Sequence, residues 1–459
     1  MESEEKKDGN RRVLNIREEL AARKYRSPGK FVSFLYNIIG STVLLPQYAP
    51  HFRFDDRLPP EGGPAIVVWN HLSRVDHLYT MKAVYPHSYN MVAGYSEFFR
   101  SHLHTVFKLN QIMPKKIYEQ DIAGIRAMYS ILKNGGIVTF SPEGMSSIYG
   151  TNQPVVPGSG RFIQFFHVPV YCLEMRGQYL TSTKQFLKIR KGRTEARLYK
   201  LFTPEQLESM TPDEIDAKLN EAFRHDEFEW TKERGIKWRM HGQSCERLDE
   251  ICYRCPRCGT DLSMKAGGDR IQCAVCGNGA VLNDYYAFEP FDGSCVIPES
   301  PSKWVELERA DIIRAIREDP DYSFSEHVKL GCLPNDHYIK KKATSELCGE
   351  GLFTLDHSGA HFSGTKDGRP WSFDLGYNVL YSLVIMTTTA KFALFVGGEF
   401  YEFMPDRRTV GKMLLITEEM HRLHVNLWKN FPWNDGLYEG MALGIDAAED
   451  AGGDVSGNA

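Results

Sequence analysis

Three short apolar runs, each closed by a polar turn, constrain this chain more than any other feature. Ala65-Ile66-Val67-Val68-Trp69 runs into Asn70-His71-Leu72-Ser73-Arg74-Val75-Asp76. Gly136-Ile137-Val138-Thr139-Phe140 runs into Ser141-Pro142-Glu143-Gly144, and Val168-Pro169-Val170-Tyr171-Cys172-Leu173 follows. Between residues 62 and 200 such runs alternate with amphipathic helical stretches, the pattern of an α/β domain. Asp121–Lys133 reads as one of these helices, stopped by Asn134-Gly135-Gly136. Open α/β sheets bind ligands at the C-terminal ends of their strands, so the first two polar turns can converge on one site.

A histidine paired with a carboxylate suits a general base whose ring is oriented by an acid. His71 would be the base and Asp76 its orienter. Positions five apart on a continuous helix lie about 140° out of phase, so a turn must separate them. Ser73 as N-cap places His71 before the helix and Asp76 in its first turn, and that helix start offers backbone donors to an oxyanion. Ser73-x-x-Asp76 also reads as a simple capping arrangement, and Pro142-Glu143 as a plain β-turn.

Asn70, His71 and Asp76 match the NHxxxxD motif of the glycerolipid acyltransferase family. Pro142-Glu143-Gly144 matches its FPEG motif, and Val168–Val170 its late VPV strand. Over roughly residues 30 to 240 the chain resembles that family. The resemblance implies transfer of a fatty acyl group from acyl-CoA or acyl carrier protein to the free hydroxyl of a lysophospholipid. The leading acceptor is 1-acyl-sn-glycerol-3-phosphate, giving phosphatidic acid; another lysophospholipid or alcohol is the alternative. It further implies that Asn70, Glu143 and Gly144 position the acceptor. Ser141 stands where the family carries Phe, and Met145-Ser146-Ser147 where Thr-Arg-Ser is usual, so an arginine that could meet phosphate is missing. Lys115, Lys116 and Arg161 are the candidate replacements. These departures also keep open a catalytically inactive lipid- or nucleic-acid-binding scaffold.

The first thirty residues hold nine Lys/Arg and six acidic residues and lack an apolar core, so no export signal is expected. Phe31–Leu45 is too short and too interrupted by Asn37, Ser41 and Thr42 for a confident membrane span. With Arg23, Lys24, Arg26 and Lys30 before it, it reads as a helix lying on an anionic membrane surface, or else as an ordinary buried helix. The expectation is a peripheral or monotopic protein at the cytoplasmic, inner face of the cell membrane.

Five of the ten cysteines fall between positions 252 and 276. With no export signal, thiol or metal roles in a reducing compartment are expected. Cys255-x-x-Cys258 and Cys273-x-x-Cys276 lie fourteen residues apart, each followed by Gly, the spacing of a structural Zn2+ ribbon. Cys252 competes with Cys255 as ligand. Only four basic residues lie between Cys252 and Cys276, so nucleic acid is not an expected partner. The chain thus divides into a charged segment (1–28), an acyltransferase-like α/β domain with flanking helices (29–245), a zinc ribbon (250–287), a linker with a helix (288–333), a β-rich PH-like region (334–432) and an acidic tail (433–459). Lys340, Lys341 and Lys342 of the β-rich region could meet lipid phosphates, or else are ordinary exposed lysines on a strand.

Overall fold

The computed structural model describes residues 14–119, 121–386 and 388–427. The expected acidic tail and the first charged residues lie outside them.

The described residues form three sheets. The first contains Pro50–Phe54 (β1), Ala65–Trp69 (β2), Asn90–Gly94 (β3), Met113–Lys115 (β4), Ile137–Phe140 (β5), Val170–Arg176 (β6) and Thr194–Phe202 (β7). Their order is β1-β7-β6-β2-β5-β3-β4. Strands β2 to β6 run parallel, while β7 is antiparallel to β6. Each β2 side chain is buried because helices cover both faces of the sheet. Successive residues enter different cores: Val67 packs with Leu72 and Leu173, whereas Ile66 and Val68 pack with Val138 and Phe140. Strand β2 pairs with β5, Val68 opposite Phe140, so the two polar turns leave the sheet side by side.

Local signals hold where they are strong. The helix Ile122–Lys133 is capped by Asp121, which accepts the Gly124 N–H at 2.8 Å, and Gly135 follows with φ +76°. The helix Pro212–Phe223 begins with a capping box between Thr211 and Glu214.

The second sheet is a small antiparallel ribbon of Met264–Gly267 (β8), Arg270–Cys273 (β9), Gly279–Leu282 (β10) and Phe288–Pro290 (β11). The third contains Ser323–Cys332 (β12), Glu346–Asp356 (β13), Gly359–Lys366 (β14), Arg369–Leu375 (β15), Val384–Ile385 (β16), Phe392–Val396 (β17) and Glu399–Pro405 (β18). All its pairings are antiparallel, and the helix Val410–His424 closes it. The sequence reading placed residues 323–332 in a linker, but β12 is the sheet's central strand. Its inward face carries a carboxylate, Glu326, buried against Arg407, which breaks the apolar alternation that would have marked a strand. Lys340, Lys341 and Lys342 lie in the loop after β12, not on a strand.

Cys332 and Cys348 form a disulfide joining β12 to β13, so the expectation of thiol or metal roles fails for this pair. The third sheet is pinned to the first. Ile339 donates its N–H to Phe99 O (2.8 Å) and accepts from Ser101 N–H (3.0 Å). Arg17 pairs with Glu399 at 2.9 Å, and an apolar cluster joins Phe98 and Phe99 to Val384, Met386 and Phe400. The ribbon region bridges both: Tyr286 donates to Leu180 O at 2.9 Å on one side, and Arg408 meets Asp249 at 2.8 Å on the other.

Candidate active site

The turn after β2 is organised around one carboxylate. Asp76 is the first residue of the helix Asp76–Val84 and so lies in its first turn, as expected, but the N-cap is Val75 rather than Ser73. The Asp76 Oδ2 accepts the N–H groups of Leu72 (2.8 Å) and Ser73 (2.9 Å) and meets His71 Nδ1 at 2.8 Å. Its Oδ1 accepts the Ser73 hydroxyl at 3.0 Å. Loop folding and ring orientation are therefore one device rather than rival readings of the same residues. Asp76 thus takes up the Leu72 and Ser73 N–H groups, while the Val75 N–H donates to Ser73 Oγ at 3.3 Å. With Nδ1 held, Nε2 is the nitrogen free to take a proton. Trp69 packs edge-on to the His71 ring at 4.9 Å, and His71 remains about a quarter exposed.

The turn after β5 holds His71 from behind. Glu143, 1% exposed, accepts the His71 N–H on one oxygen and the Gln153 N–H on the other at 2.8 Å. Burial pushes its carboxyl well above the usual range, while the two N–H donors pull the other way. The Ser147 N–H donates to His71 O at 2.7 Å, completing the bridge between the turns. Gly144 takes φ +75°, where a Cβ would come within 3.2 Å of Val156.

A cavity of about 1200 Å³ opens beside this assembly, lined by His71, Asp76, Ser141, Gly144, Ser146 and Lys115 among others. The candidate residues divide on this boundary. Asn70 does not line it; the Asn70 side chain bonds Met175 N–H (2.7 Å) and Met175 O (2.9 Å), clamping the end of β2 to β6. Glu143 likewise sits behind the wall, its two oxygens taken up by the His71 and Gln153 N–H groups. Lys116 turns away to donate to Gly398 O at 2.5 Å and lies over the rings of Tyr95 and Phe395. Arg161 is exposed on the helix Ser159–Gln164, off the cavity. Lys115 does line it, donating to Glu119 O at 3.0 Å, and burial lowers its amine against the pull of Asp121 and Glu119.

Sequence reasoning missed Lys184. It lies half-buried in the cavity wall, its Nζ 2.6 Å from Ser146 Oγ in the turn that grips His71. Burial lowers its amine to about 8, against the pull of Glu97 and Asp76. No motif marks it, because it reaches the site from a loop far along the chain. Cys172, by contrast, is fully buried in β6, and burial pushes its thiol up to about 12, which removes it as a nucleophile.

Residues 50–176 match the Acyltransferase family model. Among solved structures the chain is similar to the 1-acyl-sn-glycerophosphate (LPA) acyltransferase PlsC from Thermotoga maritima. Identity is 18%, over 42% of this chain and 77% of that one, with a TM-score of 0.36. No curated protein matches the chain. The acyltransferase-matched segment contains both turns with His71, Asp76 and Glu143, but ends before Lys184, the ribbon and the third sheet.

Away from the cavity, the sulfurs of Cys255, Cys258, Cys273 and Cys276 all lie within 4.8 Å of one another. Cys255 and Cys276 are 3.6 Å apart, and Cys258 and Cys273 3.8 Å. A tetrahedron with ~2.3 Å metal–sulfur bonds has edges of about 3.8 Å, so the four sulfurs fit one such ion. Gly259 and Gly277 take φ +69° and +75°. Cys252 is excluded from the cluster, its sulfur facing Pro301 O at 3.9 Å. The Asn278 amide approaches the Cys255 sulfur at 3.7 Å, as a second-layer donor to a thiolate would.

Proposed function

We propose that this protein transfers a fatty acyl group from acyl-CoA or acyl carrier protein to the free hydroxyl of a lysophospholipid. 1-Acyl-sn-glycerol-3-phosphate is the acceptor we favour, and phosphatidic acid the product. The observation that carries the reading is the 2.8 Å contact of His71 Nδ1 with Asp76 at the wall of the large cavity. His71 Nε2 takes the acceptor's hydroxyl proton as its oxygen attacks the thioester carbonyl. A carbon–oxygen bond forms, the carbon–sulfur bond breaks, and the imidazolium returns the proton to the departing thiolate. Asp76 holds the tautomer and stabilises the transient imidazolium. Glu143 and Ser147 fix the His71 backbone, and Lys184 supplies the cation for the acceptor phosphate that the missing arginine would have given.

The helix Lys30–Ile39 supports a lipid setting. Its Ser33, Tyr36 and Asn37 line the cavity, while Phe31 is 76% exposed and Phe34, Leu35, Ile38 and Ile39 lie open to solvent. Among the described residues no helix is long and apolar enough to cross a membrane. We therefore read this helix as lying in the surface of a membrane, at its cytoplasmic face, with the cavity opening beside it. The four cysteines would hold Zn2+ as a structural ion clipping the two larger sheets together. The third sheet with its closing helix we read as PH-like in outline.

The test is thiol release by the purified protein in detergent, with oleoyl-CoA and a panel of lysophospholipids. Acceptor-dependent release that is lost in His71→Ala supports the reading, with the best acceptor naming the head group. Absence of release from folded, zinc-loaded protein with both acyl-CoA and acyl carrier protein overturns it.

A further inference from the structure

The third sheet lies outside the acyltransferase-matched segment, yet it forms one side of the same cavity. Tyr381, Val384, Ile385, Met386, Phe395 and Phe400 all line it. These residues belong to β16, β17, β18 and the segments around β16, the edge of the third sheet that faces the first. The contact is built rather than incidental. Two backbone hydrogen bonds through Ile339 fix the sheet, as do the Lys116 bond to Gly398 and the Arg17–Glu399 pair.

The cavity's lining is of two kinds. His71, Ser141, Ser146 and Lys184 line it from the first sheet's side, whereas the β16–β18 edge of the third sheet offers Tyr381, Val384, Ile385, Met386, Phe395 and Phe400, and the loop after β12 adds Lys341 and Lys342. At about 1200 Å³ it exceeds the ~300–1,000 Å³ typical of small-ligand pockets. A ligand that reacts at His71 and fills the space along the β16–β18 edge must carry a long apolar tail, because burying apolar surface against that edge is the favourable term available there.

We infer that the β16–β18 edge is the hydrocarbon-binding wall of the site, against which a fatty acyl chain lies while its carbonyl end sits at His71. The inference rests on the proposed acyl transfer for the identity of the reacting end, but not for the chain-binding wall itself. On this account the third sheet measures chain length and is part of the substrate site rather than a separate scaffold.

Two variants test it. Met386→Trp fills the wall and Phe395→Ala hollows it, with Leu352→Trp on the exposed face of β13 as a control for added bulk. Binding of cis-parinaric acid, read by its fluorescence, needs no turnover. Acyl transfer is measured separately with octanoyl to oleoyl donors on a fixed acceptor, then with acceptors of varied chain on a fixed donor. Met386→Trp is expected to weaken parinaric acid and the longest chains by about tenfold, the effect of displacing roughly two methylenes. Phe395→Ala should shift the length optimum upward, and Leu352→Trp should change neither. The series whose profile moves identifies whether the chain belongs to donor or acceptor. Parinaric acid binding that Met386→Trp weakens, in a protein that transfers nothing, upholds the wall and removes the transferase reading. Absent binding by the unsubstituted protein, or length profiles unchanged in both folded variants, overturns the inference. Should Met386→Trp fail to fold, Phe395→Ala alone decides it.

Discussion

The first sheet delivers His71 and the carboxylate behind it from the ends of two adjacent parallel strands, whereas the strands of the third lend the same cavity the apolar flank of an antiparallel edge. Both are seven-stranded, and both are needed to enclose the space. Chemistry depends on a few polar groups at fixed separations, which short loops on a rigid parallel sheet supply. Enclosure depends on area alone, and any well-docked surface can supply that. The difference separates a site into a part that tolerates almost no substitution and a part that can be reshaped.

The largest expected effect comes from the element that joins the two sheets. Stripping metal from the four-cysteine cluster, or Cys258→Ser, should unfold the ribbon, since structural zinc contributes roughly 10 kcal/mol or more of apparent folding free energy. Zinc content and thermal denaturation measure it, and Cys252→Ser, whose sulfur lies apart, should retain the metal. Within the first sheet, Asp76→Asn should lower kcat by about 10²–10⁴-fold through the wrong His71 tautomer. It should also cost about 1–3 kcal/mol of stability, because the loop's N–H groups lose a charged acceptor. Steady-state kinetics and denaturant titration separate the two effects.

Lys184→Met should raise KM roughly tenfold to a hundredfold for a phosphate-bearing acceptor and leave a phosphate-free one unmoved. With the Lys184 amine lowered to about 8, that side chain is cationic below this pH and neutral above it. KM for the anionic acceptor should therefore rise as pH rises through about 8, and Lys184→Arg should abolish that limb. The smallest effect concerns Glu227, which accepts the Gly177 N–H at 2.6 Å after β6 and whose carboxyl burial raises to about 8. The folded state then holds a proton that the unfolded chain has released. The stabilisation is full below the ordinary carboxylate range and is lost as pH rises through about 8. Glu227→Gln should flatten thermal stability across that window.

What could be read from the sequence follows the same division. His71, Asp76 and Glu143 were legible because each sits in a short turn directly after an apolar strand, and the cysteine ribbon because its ligands are paired at fixed spacing. Asn70 was legible in the same way, as a member of the first turn. The Asn70 and Glu143 side chains serve the backbone of β6 and of His71, and spacing cannot distinguish a residue that touches ligand from one that holds a neighbour. Lys184, and the wall around Met386, were invisible because tertiary docking alone brings them to the cavity. Strand β12 was lost because Glu326, buried against Arg407, interrupts its apolar face.

A crystal structure with a non-hydrolysable long-chain acyl-CoA analogue tests the account most directly. It should put the carbonyl-equivalent group within hydrogen-bonding reach of His71 Nε2 and the acyl chain against Met386 and Phe395. An analogue seated away from His71, or with its chain leaving along the Lys30–Ile39 helix without touching the third sheet, would contradict it.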